Sequence, residues 1–228
     1  MNMLAEIDMD ILASFISAVI TIFAIVDPIG CLPIFVGLTQ DVDAAQRRRV
    51  FRFAGVVAFV IICVMTVSGK YLLKDVFNIG FDEFRFGGGL LLIVVGVQDI
   101  LSKPSQNRAS PLEPSARQDV KNAIDADHIR LAVSPIAMPL LAGPGAIVTT
   151  MLIAERSGLL FALLACLVCF AFVIAILNWA HLVFRVLGNI GTLAVARVMD
   201  IFIVAIGVRF VFDGTFEYII KRFPQLAG

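Results

Sequence analysis

The chain has 228 residues, 60% of them hydrophobic and 16% charged, against roughly half and a quarter in a soluble domain. Its 18 basic and 18 acidic side chains cancel, which argues against a nucleic-acid partner. Apolar runs approaching the roughly 20 residues that cross a bilayer recur along its length, so it reads as a polytopic membrane protein with lipid as its main surroundings.

In chain order, the opening MNMLAEIDMD carries three acids and no Lys or Arg. A secretory signal needs a basic leading region, so the first apolar run, 10–39, is expected to stay as a span. Inside it, Ala24 to Phe35 reads AIVDPIGCLPIF. Pro28 lacks an N–H and clashes with the preceding turn, Gly30 permits unusual backbone angles, and Pro33 suits a first helical turn. The run therefore predicts a broken helix, with one half ending near Val26 and a second half reaching about Thr39.

Spans follow at 51–69 and 84–102, then a polar segment, 103–128, with Pro104, Pro111 and Pro114, read as a cytoplasmic loop. The fourth span, 129–154, is expected to be bent by Ser134–Pro139, interrupted at Ala142-Gly143-Pro144-Gly145, and restarted as a half-helix from Ala146. The fifth and sixth spans are expected over 158–184 and 192–214. An N-terminus outside puts eleven basic residues, Arg47, Arg48, Arg185 and Arg197 among them, on the inner side. It leaves six, including Arg85, Arg156 and Lys221, outside, so both termini are expected to face out.

The halves repeat. A shift of 111 aligns Asn78-Ile79-Gly80 with Asn189-Ile190-Gly191 and Gly96-Val97 with Gly207-Val208; Pro28 and Pro144 lie 116 apart. Three spans per half force opposite orientations. The expected fold is an all-α membrane protein of six transmembrane helices in two inverted three-helix repeats, 1–102 and 129–228, with helices 1 and 4 broken.

A broken helix offers N–H groups and partial positive charge at one end and carbonyls at the other. Two breaks facing each other suit a small zwitterion. Its carboxylate would meet N–H groups near Gly30–Cys31 or Gly145–Ala146, and its ammonium would meet carbonyls or Asp27. Simple proline kinking is the competing reading, weakened because both breaks carry glycine and fall at matching places in the halves.

These residues resemble the MarC family, whose signatures are an Asn-Pro-hydrophobic-Gly break in the first span and Pro-Leu-x-x-Gly-Pro-Gly in the fourth. Here they read Asp27-Pro28-Ile29-Gly30 and Pro139-Leu140-Leu141-Ala142-Gly143-Pro144-Gly145, and the sixth span from Arg197 to Gly214 also matches. The resemblance implies six spans, a bacterial inner-membrane location, and glycine or alanine as substrate. Two positions depart from the pattern: Asp27 stands where the family has Asn, and Arg209 where it commonly has Gln. Two pairings are open, Asp27 with Arg209 beside the breaks, or Arg209 with Asp213 at i,i+4. Asp27 is also a candidate proton-coupling group.

Gln98 occupies the repeat position of Arg209 and joins it as a cavity candidate. Thr149 and Thr150 follow the second break, where each donates to a ligand or bonds back to its own helix. Asn178 and His181 share a face at i,i+3, as path lining or as a packing pair. Cys166 and Cys169 have CxxC spacing with no second pair or His cluster, so they read as packing residues and no cofactor or metal is expected. With no HExxH, no Walker loop and no nucleophile–base pair by spacing, no enzyme is expected. The expected function is secondary transport of a small neutral amino acid, with proton or sodium coupling and an oligomeric assembly compatible with the sequence; a channel, passive exporter or membrane accessory protein is the alternative.

Overall fold

The computed structural model describes residues 2–38, 43–101 and 141–223, and the regular structure among them is all helical. The expected loop 103–128 and the start of the expected fourth span, with the Ser134–Pro139 bend, lie outside the described residues. In chain order the helices are α1 (Asn2–Val26), α2 (Leu32–Leu38), α3 (Ala44–Tyr71), α4 (Phe81–Leu101), α5 (Pro144–Ser157), α6 (Leu159–Asn178) and α7 (Ala180–Arg222). A π turn over Leu72–Val76 extends α3.

Four stretches among the described residues are long and apolar enough to cross a bilayer: Met9–Val26, Ala45–Val76, Phe81–Leu101 and Leu159–Asn178. Lipid-side and core-side faces separate at helical spacing. On α1, Leu12, Ile16 and Ile20 are exposed while Ala18, Ile22 and Val26 are buried. α7 is long enough to span, but Arg197, Asp200, Arg209 and Asp213 dilute its apolar character.

Corners are made by residues that leave the helical region. Gly158 (φ 95°, ψ 153°) turns α5 into α6, and Gly188 (φ 65°, ψ −176°) bends α7; both conformations belong to glycine. The expected fifth span, 158–184, is shorter than anticipated. α6 stops at Asn178, Trp179 leaves the helix at φ −102°, ψ 18°, and a new helix starts at Ala180. A continuous apolar run did not reveal this corner, because no glycine or proline marks it.

Two cores hold the bundle. One joins α1, α2, α3 and α6 around Ile22, Leu32, Phe35, Phe51, Ile62, Cys166, Cys169 and Phe170, where the CxxC residues pack as free thiols. The other joins α4, α5 and α7 through Leu92, Val148, Leu152, Ile203 and Phe210. α4 and α7 pack antiparallel, backbone against backbone. A Cβ added at Gly89 would lie 2.6 Å from the Gly207 carbonyl oxygen, and one at Gly96 would lie 3.1 Å from that of Asp200. At Gly214 it would meet the Asp82 carbonyl at 2.8 Å. Small residues permit this approach where lipid offers helices no hydrophobic reason to associate.

Candidate functional site

The first interruption is a compact turn. α1 ends at Val26, and Asp27 adopts φ 42°, a left-handed conformation that short Asx side chains tolerate. Its Oδ1 accepts a hydrogen bond from the Gly30 N–H at 3.0 Å. The Asp27 carbonyl accepts from Cys31 at 3.3 Å, and that of Ile29 from Leu32 at 3.1 Å, where α2 begins. Asp27, Pro28 and Gly30 are buried, with Cys31 half-buried. The turn thus satisfies much of its own backbone, as a buried interruption must.

Gly143, in extended conformation, precedes the second helix start, and Pro144 fills its first position. Ala146 and Ile147 donate to the Gly143 carbonyl at 3.0 and 3.3 Å, and among the described residues no side chain caps the N-terminus. The two segments meet: a Cβ on Gly145 would lie 3.2 Å from Ile25, two residues before Asp27, and 2.7 Å from Leu92 in the middle of α4. Leu141, Ala142 and Ala146 share a buried cluster with Val26, Leu32 and Phe35.

One turn into α5 the two threonines part company. The Thr150 hydroxyl lies 3.0 Å from the Ala146 carbonyl and 2.9 Å from the Thr66 hydroxyl of α3, so it belongs to helix packing. Thr149 is 0% exposed, and its Oγ1 has no hydrogen-bond partner among the described residues. It lines a cavity of about 150 Å³ between α1, α5, α6 and α7. Ser14, Ser17 and Thr21 of α1 also line it, with Arg156 of α5 and Arg209 of α7. Asp213 receives both cations, with Arg156 at 2.5 Å and Arg209 at 3.9 Å. Drug-sized ligands occupy about 300–1,000 Å³, so this cavity suits only a small solute.

The expected residues therefore fall into three groups. Asp27, Pro28, Gly30, Cys31, Gly143, Pro144, Gly145 and Ala146 lie where the turn after α1 meets the start of α5; Pro144 is on its exposed side. Thr149 and Arg209 line the cavity beside it. Gln98 does not join them: it is exposed near the C-terminal end of α4, where Arg197 donates to the Asp99 and Ile100 carbonyls. Of the two pairings open for Arg209, the structure has the one with Asp213; the guanidinium is 71% exposed, and Asp27 instead closes its own turn.

The sequence reading passes over two features. Ser14, Ser17 and Thr21 recur at i, i+3 and i+7, a polar stripe on the otherwise apolar part of α1 after Asp10 that periodicity could have exposed. Arg85 counts there only as one outer cation, yet it is 1% exposed and pairs with Glu155 at 3.0 Å and with Glu217. Beside it, Lys221 lies 2.7 Å from Asp82, whose hydrogen bond holds the amine above the ordinary lysine range.

Comparison with known proteins agrees with this architecture. The model of the MarC family integral membrane proteins matches residues 12–219. A UPF0056 membrane protein of Archaeoglobus fulgidus is 34% identical, over 92% of this chain and 96% of its own. The UPF0056 membrane protein YhcE of Escherichia coli is 29% identical, over 86% and 88%. The UPF0056 inner membrane protein MarC of Escherichia coli is also 29% identical, over 88% and 93%. No solved structure matches. With nearly its whole length covered, and several membrane-crossing helices in its fold, the chain belongs to the MarC family of integral membrane proteins.

Proposed function

We propose that this protein is a secondary transporter of a small neutral amino acid, built as two inverted three-helix repeats, 1–102 and 129–228, joined by a cytoplasmic loop over 103–128. Both termini face outward from the inner (cytoplasmic) membrane. The solute binds at the junction of the two interrupted helices. Its carboxylate meets the N-terminus of α5 at Gly145, since the Ala146 N–H is taken by the Gly143 carbonyl; Thr149 donates to the carboxylate, and Asp27 faces the solute's ammonium. Arg209 and Arg156 line the approach.

The observation that carries this reading is the convergence of the turn after α1 and the start of α5 beside a buried hydroxyl with no hydrogen-bond partner among the described residues. Buried polar groups are nearly always bonded, and exceptions point to a ligand or a functional role. Inversion has support of its own. The shift of 111 carries Gly89 onto Asp200 and Gly96 onto Gly207, which exchanges two of the close approaches of α4 and α7. Likewise α2 packs on α7 and α5 on α4, as exchanged halves would.

The test is uptake of labelled glycine and alanine into proteoliposomes, with and without proton or sodium gradients. Saturable uptake with counterflow is expected. Unitary currents without saturation would make the protein a channel, and absence of both flux and binding across an amino-acid panel would remove the reading.

A further inference from the structure

α3 begins where α6 ends, and with the first turns of α7 these ends enclose a second pocket, of about 240 Å³. Arg47 and Arg48 of α3 and Arg185 of α7 line it, over a floor of Phe51, Leu177 and Ala180. Among the described residues no carboxylate pairs with any of the three guanidiniums; Arg185 is 3.5 Å from the His181 ring nitrogen. Three like charges with no paired carboxylate among the described residues create a local positive potential that calls for an anion. The pocket also contains an acceptor with no donor among the described residues, the buried Asn178 Oδ1.

Depth identifies the anion. The pocket lies at the start of one membrane-crossing stretch, Ala45–Val76, and at the end of another, Leu159–Asn178, which is the level of lipid headgroups. Trp179, 66% exposed, stands at its rim, and Trp is enriched at that level. Leu182 and Val186 continue the exposed apolar edge along α7.

We propose that this pocket binds the phosphate of an anionic membrane phospholipid. Arg47, Arg48 and Arg185 hold the phosphate by charge-assisted hydrogen bonds, Asn178 Oδ1 accepts from a headgroup hydroxyl, and Trp179 and Leu182 lie along the first acyl carbons. Bound there, one lipid ties the start of the second span to the corner between the fifth and sixth. None of these residues belongs to the solute junction, so this assignment and the transport reading stand or fall separately.

The full chain in detergent is titrated with phosphatidylglycerol, phosphatidylcholine and soluble glycerol 3-phosphate, following lipid retained by native mass spectrometry and the unfolding temperature. Phosphatidylglycerol is expected to be retained in preference to phosphatidylcholine. Arg185→Gln alone lowers that retention about fivefold, the effect of one basic residue near a membrane surface. R47Q/R48Q/R185Q abolishes it, while the charge-matched K70Q/K74Q/R222Q, at the far ends of α3 and α7, retains the lipid. Equal retention of the two lipids, or equal retention by Arg185→Gln and wild type, overturns the proposal. Stabilisation by glycerol 3-phosphate equal to that by lipid would make this a free-phosphate site and overturn the lipid assignment.

Discussion

Asp27 shows how one side chain can serve geometry before chemistry. Its φ of 42° and its bond to the Gly30 N–H ask for a short side chain with an acceptor oxygen, and Asn supplies both. Asp27→Asn should therefore unfold at the wild-type temperature, whereas Asp27→Ala should lose about 1–2 kcal/mol through left-handed strain and the missing acceptor. Uptake separates the remaining roles: a well-folded Asp27→Asn protein that no longer responds to a proton gradient would establish the carboxylate as the coupling group, and an unchanged response would remove it. The adjacent threonines differ just as sharply. Thr149→Val removes a buried hydroxyl that has no partner among the described residues, so stability should hold or rise by about 1 kcal/mol while solute binding falls. Thr150→Val breaks the contact with Thr66 and should lower stability by about 1 kcal/mol with solute affinity unchanged. Thermal unfolding in detergent with and without solute reads both, and equal loss of binding in the two variants would contradict the division. The sequence singled out both hydroxyls, but their roles depend on which faces a cavity and which meets α3, a matter of rotation that spacing within α5 leaves open.

At the scale of helices, glycine placement carries most of the packing information. Gly87 and Gly89 lie two residues apart in α4 and look alike in the sequence. An added Cβ at Gly87 meets nothing within 4 Å, while one at Gly89 runs into the backbone of α7. Gly87→Ala should stabilise by up to about 1 kcal/mol through reduced freedom of the unfolded chain. Gly89→Ala should cost about 1–3 kcal/mol, because a neighbouring backbone cannot step aside as a flexible side chain can. Equivalent unfolding temperatures for the two would mean that α4 and α7 are not in backbone contact. The proline–glycine interruption at Asp27 and the helix start at Pro144 were legible because those residues act on their own backbone. The end of α6 at Trp179 was not legible, since no proline or glycine marks it. Gln98 lies apart from Arg209 because α4 and α7 run antiparallel, so the two positions that the repeat shift equates fall toward opposite ends of the pair.

Across the whole molecule, the charges of the described residues do different work in different parts of the bundle. The topology rule grouped Arg85, Arg156 and Lys221 on one side of the membrane, and the structure draws all three into neighbouring ion pairs. What composition left unread is that Arg85 is fully enclosed and touches two other helices, through Glu155 of α5 and Glu217 of α7. It ties α4, α5 and α7 together beside the cavity that holds Thr149, where Asp213 already joins Arg156 to Arg209. Arg85→Gln leaves two carboxylates facing each other around a neutral amide. Breaking a fully buried pair costs about 3–5 kcal/mol, but both glutamates here are a third or more exposed, so roughly 2 kcal/mol is expected. Neutralising the whole cluster with Arg85→Gln, Glu155→Gln and Glu217→Gln removes the uncompensated charge, and most of the lost stability should return. Thermal unfolding of the single and triple variants decides the matter. If the triple variant is as damaged as the single one, Arg85 holds these helices by shape and hydrogen bonding rather than by charge, and the cluster is a rigid corner instead of a latch that a transport cycle could release.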